Sequence, residues 1–290
     1  MRSALYRIST VSTLLCLLGL GSCDLNKIDF TATDSKNVDN EAASDSYFED
    51  VTDISTTTVS VPSETDGGRV FTIAGDSRFA CATITLDIDN GSTIQFPKGM
   101  ITIDFMSGCA DGRGNTRKGK ILIAYAGRRF LPGSSITTTF DGYTINGITL
   151  EGTHIATSTF DSNEANPKFT LSLLNGKLTW PDGTVATREM SRTRTWIRTV
   201  GGAEDKWYVA GAATGTNRQQ YPYSITITDT LIYQKACVTT HAKFMPSQGK
   251  EDLIVSNKMI ALDFGTGSCD EIVTLTINGK STQVNLVNSD

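Results

Sequence analysis

The sequence predicts an all-β, antiparallel fold: a meander of hairpins forming a curved sheet, sandwich or barrel, preceded by a disordered or partly helical N-terminal tether. Three observations carry this. Apolar and polar residues alternate in 82–88, 100–105 and 120–125, the period of a strand with one buried face. Asn90-Gly91, Asn146-Gly147, Asn175-Gly176, Asp182-Gly183 and Asn278-Gly279 each lie between strand-like runs, and such dipeptides tolerate the positive φ of tight hairpin turns. A cassette of strands and cysteines occurs twice, at 81–125 and 237–284.

The first 22 residues read as a leader. Arg2 and Arg7 give a positive start, and 8–20 is a mostly apolar run of about 13 residues. A spanning helix needs roughly 20, so this layout is that of a cleaved signal. The run ends in Leu20-Gly21-Ser22-Cys23, which resembles the lipobox of bacterial lipoproteins. That resemblance implies a lipid on Cys23, which would become the first mature residue, and attachment to a membrane.

Residues 23–68 are rich in Asp, Ser, Thr and Asn. Such a segment buries too little apolar surface to fold alone, so it is expected to be an acidic, solvated tether. Within it Ala43, Tyr47, Val51 and Ile54 share one helical face, which allows a short helix in 38–54 capped from Asn37 or Asp39.

From 69 to 290 the pattern is all-β. Residues 143–145 are expected to pair with 148–150, and 274–277 with 281–284. No amphipathic helix follows residue 68, and strands never alternate with helices, which argues against a parallel α/β sheet.

In the repeat, Ala80-Cys81-Ala82-Thr83 leads through a hairpin to Asp104-Phe105, a Gly-bearing turn with Cys109 and Asp111, then a strand. Ala236-Cys237-Val238-Thr239 leads likewise to Asp263-Phe264, Cys269 and Asp270, then a strand. With Cys16 in the leader and Cys23 lipidated, four cysteines remain for an oxidising compartment. Four allow three pairings; the repeat favours Cys81–Cys109 and Cys237–Cys269. Their wide spacing excludes a zinc site.

Net charge is −5, and losing Arg2 and Arg7 with the leader makes it more negative, which argues against nucleic acid as a partner. One strand stands apart. Arg188, Met190, Arg192, Arg194, Trp196 and Arg198 share one side at period two. Arg192, Arg194, Trp196 and Arg198 are therefore candidate ligand-binding residues for an anionic partner such as an acidic glycan. The bland alternative is a solvated face paired to acids on neighbouring strands.

Catalytic sets are scarce. His154 and His241 lie on predicted strands without partner ligands, and no nucleophile elbow, zincin helix or phosphate loop occurs. Asp104 with Asp111, and Asp263 with Asp270, flank the two cassette turns. They suit turn capping better than a calcium loop or a glycosidase pair. No metal, cofactor or catalytic residue is expected.

The Asp-Phe…Gly…Cys…Asp cassette followed by 112–120, with Glu151-Gly152-Thr153-His154, Arg192-Thr193-Arg194-Thr195-Trp196 and Gly215-Thr216-Asn217-Arg218, resembles a group of uncharacterised cell-envelope lipoproteins of the Bacteroidota. The resemblance implies an envelope location and an all-β fold, and carries no activity. The expectation is a lipid-anchored envelope protein, on the outer membrane, with a non-enzymatic binding or structural role toward a glycan or an envelope protein. A glycan- or anion-binding surface module is the alternative, and a carboxylate-dependent hydrolase the second.

Overall fold

The structure is a computed structural model that describes residues 30–60, 69–238 and 243–286. The leader, Cys23 and His241 lie outside the described residues. Among the described residues fifteen strands form one antiparallel sheet: β1 (Arg69–Phe71), β2 (Thr83–Ile88), β3 (Lys98–Asp104), β4 (Cys109–Ala110), β5 (Thr116–Ala126), β6 (Ser135–Ile145), β7 (Ile148–Ser158), β8 (Lys168–Thr179), β9 (Val185–Ile197), β10 (Lys206–Thr216), β11 (Pro222–Gln234), β12 (Gln248–Val255), β13 (Lys258–Thr266), β14 (Ile272–Ile277) and β15 (Lys280–Asn285). Neighbours in the sheet are neighbours in sequence, apart from the two-residue β4, which pairs only with β5. No pairing joins β1 to β15 among the described residues, so the sheet curls without closing into a barrel.

The sheet wraps a long helix, α1 (Ala32–Val59). Here the expectation of a solvated tether fails, and the helix is far longer than the stretch 38–54. Val38, Phe48, Val51 and Ile54 are buried, and so are Glu41, Asp45, Glu49, Asp50 and Asp53. Thr31 and Asp34 form a capping box that fixes the start. No Gly or Pro interrupts the stretch, yet its Ser, Thr and Asp content makes it a weak helix former. The sheet around it supplies what propensity does not. The hydroxyls of Ser44, Thr52, Ser55, Thr56 and Thr58 bond carbonyls one turn back along the helix, so these buried groups are satisfied locally.

Curling a sheet this tightly needs breaks in its regular ladder, and bulges bend strands. Register shifts interrupt β5/β6, β6/β7, β7/β8, β8/β9, β10/β11, β11/β12 and β12/β13. Gly119 shows why glycine is needed at such points. It sits at φ +78°, and a Cβ there would lie 2.2 Å from the Gly142 carbonyl oxygen.

Asn146-Gly147 and Asn278-Gly279 form the expected tight hairpins, with φ positive at all four residues. Asp182-Gly183 lies in the β8–β9 turn. Asn90-Gly91 belongs to a longer loop, 89–97. Asn175-Gly176 is no hairpin: it is a bulge inside β8, packed on Gly152 of β7. Both disulfides, Cys81–Cys109 and Cys237–Cys269, are formed as the repeat predicts. Cys81 precedes β2, however, and Cys237 lies in the helical turn α2 (Lys235–Val238), so neither stands in a strand.

The helix gives the molecule two distinguishable ends. At its N-terminus Asp34 pairs with Lys258, the first residue of β13, and Asn37 with Asn217 and Asn40 with Gln219, both in the β10–β11 turn. This near end also carries the turns 146–147 and 180–184. At the far end Arg129 donates to the carbonyls of Val59 and Ser60, beside the loops 89–97, 159–167 and 198–205.

Candidate functional site

The arginine face of β9 points inward, at α1. Arg188 Nη1 lies 2.6 Å from Glu41 and its Nη2 lies 2.6 Å from Asp45. Arg192 reaches Asp45 at 2.7 Å and Glu49 at 2.9 Å. Arg194 reaches Glu49 at 3.1 Å and Asp53 at 3.2 Å. Each arginine bridges two successive carboxylates of one helical stripe. The step from Arg192 to Arg194, two strand residues or about 6.6 Å, matches one four-residue step of the stripe, about 6 Å, whereas Arg188 stands four strand residues from Arg192 and covers the next step with its own reach. Like charges at i, i+4 repel on a helix, so the stripe at 41, 45, 49 and 53 depends on these guanidinium groups.

A second group binds the adjoining flank of the helix and shares Asp53 with the first. Arg78 reaches Asp50 at 2.9 Å and Asp53 at 2.6 Å. Arg117 reaches Asp50 at 2.6 Å, Asp111 at 3.0 Å and the Tyr143 hydroxyl at 2.7 Å. Burial alone would raise the Asp50 carboxyl, but Arg117 and Arg78 outweigh it and hold it below the usual range. Tyr143 is pushed up to about 12, first by burial, which exceeds the opposing charge of Arg117.

Arg192 and Arg194 are therefore not surface residues open to an outside anion. Both are buried, and the anion they meet is the protein's own helix. The correction has a physical cause. A stripe of arginines on a strand has the same sequence signature whether its carboxylates are external or internal.

Trp196 and Arg198 have a different setting. Trp196 is buried and donates its indole N–H to Asp205 at 3.0 Å. Arg198 is exposed and stacks over the Trp196 ring, 5.0 Å from its centroid. Both line a cleft of about 390 Å³ at the far end, between the C-terminal turn of α1 and the segment around Gly75 and Asp76. Trp207 of β10 forms part of the same wall, stacked on Trp196 at 6.1 Å and beneath the guanidinium of Arg194 at 5.1 Å. Its Nε1 is buried and has no hydrogen-bond partner among the described residues. A donor of that kind leaves a cost of roughly 1–3 kcal/mol until something accepts from it.

The cassette aspartates do what short polar side chains do in tight turns. Asp104 accepts from Met106 N–H, Asp111 from Arg113 and Asn115 N–H, Asp263 from Gly265 N–H and Asp270 from Ile272 N–H. No group of His, Cys, Asp and Glu arranged for a metal occurs among the described residues. His154 is buried with Nε2 3.1 Å from Thr52 Oγ1, and burial, aided by Arg194, pushes it down to about 4. It is a neutral packing residue between β7 and α1.

Glu251 of β12 faces the same interior, and its Oε2 has no partner among the described residues. Burial, with Asp45 and Glu41 adding repulsion, pushes its carboxyl up to about 8. Carboxyls outnumber guanidiniums around the helix, and a proton on Glu251 reduces the excess.

A second cleft, of about 680 Å³, opens at the near end. Trp180 lines it with Arg218, whose guanidinium stacks 4.6 Å above the indole and pairs with Asp182 at 2.7 Å. Neither this cleft nor the pairing of the acidic stripe with the arginine stripe emerges from the sequence reading. The available signal for the pairing was the coexistence of an acidic stripe at helical spacing, Glu41, Asp45, Glu49 and Asp53, with an arginine stripe at strand spacing. Comparison with family models, with characterised proteins and with solved structures finds no match to this chain.

Proposed function

We infer that the protein is a lipid-anchored cell-envelope lipoprotein that acts without catalysis, as a binding module for a saccharide or similar polyhydroxylated ligand. The observation that carries the reading is the far-end cleft. Trp196 and Trp207 form part of its wall, and the exposed guanidinium of Arg198 stands at its rim. A concave site with an apolar floor and a few convergent polar groups is the usual form of a small-molecule site. Arg198 supplies donors there and Asp76 an acceptor, beside the Trp196 and Trp207 side chains, a set suited to hydroxyl and carboxylate groups. The cassette aspartates are each engaged in their own turn, which favours binding over the hydrolase reading. The lipobox-like Leu20-Gly21-Ser22-Cys23 supports the anchor.

A panel of envelope and host glycans tests this. Arg198→Ala removes the rim charge, and Ala74→Trp fills the cleft from an exposed loop; neither touches the buried ion pairs. Both are expected to weaken binding at least about tenfold, or ~1.4 kcal/mol. If a glycan binds and neither variant changes its affinity, the cleft is not its site. If no glycan binds the native protein, the saccharide reading falls.

A further inference from the structure

We propose that the near end of the sheet is the membrane-facing surface and that its partner is the phospholipid bilayer, with Trp180, Tyr221 and Arg218 at headgroup level. This rests on the reading that Cys23 carries lipid. The argument is one of length. The capping box fixes the start of α1 at Thr31, so seven residues separate the helix cap from Cys23, eight Cα-to-Cα steps. Fully extended they span at most about 29 Å. Helix α1 has 28 residues and is therefore about 42 Å long. Turning the far end to the membrane would lift Thr31 some 40 Å from it, beyond the reach of the tether. The expected tether of some 45 residues would have imposed no such limit. The buried helix does, because it takes most of that segment into the fold.

The chemistry of the near end fits an interface. Tyr221 is 49% exposed, and Pro181 is exposed beside the half-buried Trp180. Trp and Tyr with basic neighbours concentrate at membrane–water boundaries. Arg218, Lys36 and Lys243 supply the basic groups around the 680 Å³ cleft, with Asp182 and Asp39 as the acids present. The far-end cleft of Trp196 and Trp207 then opens away from the bilayer.

The test uses the full chain, processed in a lipid-modifying bacterial host and reconstituted into vesicles of phosphatidylethanolamine and phosphatidylglycerol. A fluorescent non-natural residue is placed at Tyr221 or at Phe160, which is 91% exposed in the far-end loop 159–167. Brominated lipids should remove most of the emission at position 221 and leave that at 160 unchanged. Trp180→Ser with Arg218→Ser should reduce quenching at 221 while the protein still floats with the vesicles. If it floats and position 221 is not quenched, or 160 is quenched equally, the orientation is wrong and the anchor stands. If the chain does not float and the peptide containing Cys23 carries no acyl mass, the anchor reading fails and the orientation falls with it.

Discussion

Arg188 and Glu41 are 147 residues apart in sequence and meet at 2.6 Å in the interior, with almost no solvent at either side chain. Bringing both charges out of water is costly, and their attraction roughly offsets that cost when the geometry is good. The pair therefore contributes specificity, holding one helical face against one strand, more than net stability. Removing one partner is a different matter, because the other is left buried and unpaired. Arg188→Met alone should destabilise the fold by about 3–5 kcal/mol. Glu41→Leu with Arg188→Met should recover most of that loss, since Asp45 keeps Arg192. Urea denaturation of the two single variants and the double variant measures the coupling. Additive losses would show that the two side chains do not interact as described.

The helix is the core of the sheet, so the sheet should not survive without it. A chain beginning at Arg69 lacks Val38, Phe48, Val51 and Ile54, all buried. It also leaves the guanidiniums of Arg78, Arg117, Arg188, Arg192 and Arg194 facing an empty interior. Such a truncation should lose its near-ultraviolet circular dichroism and its cooperative thermal transition. A sharp melt in the shortened chain would mean that α1 is an accessory and that the interior can refill without it.

Much of the sheet was legible because strand signals are local. Alternation, two true Asn-Gly turns and the doubled cassette are each read within a few residues, and they located the hairpins and both disulfides. Asn175-Gly176 has the same local signature as Asn146-Gly147 and became a bulge, because the close approach of Gly152 on the neighbouring strand decided it. The helix was illegible for a stronger version of the same reason. Its composition is that of a solvated segment, and arginines 25 to 147 residues away make its burial possible. A second repeat also went unread. Ser92 and Ser162 each accept the backbone N–H of the lysine six residues on, Lys98 and Lys168, in loops that both end in Pro-Lys. Of the four candidate binding residues, Arg192 and Arg194 turned inward, while Trp196 and Arg198 reached a cleft.

The buried carboxyls make stability depend on pH in two opposite directions. Glu251 would lose its proton near 4.5 as an ordinary glutamate and keeps it to about 8 in the fold. Across that window the native state holds the extra proton, so this residue's contribution falls as pH rises. Asp76 is the reverse. Burial would raise it, but Arg78, then Arg113, hold it down at about 2. Below its ordinary value of 3.8 the unfolded chain takes up the proton first, so stability present above that value is lost as pH falls toward 2. The urea midpoint should therefore peak at about pH 5 and decline on both sides. Glu251→Gln cannot ionise, so its midpoint should decline much less than that of the native chain between pH 5 and 9, while its acid limb stays unchanged. Parallel alkaline limbs for the two proteins would place the responsible group elsewhere.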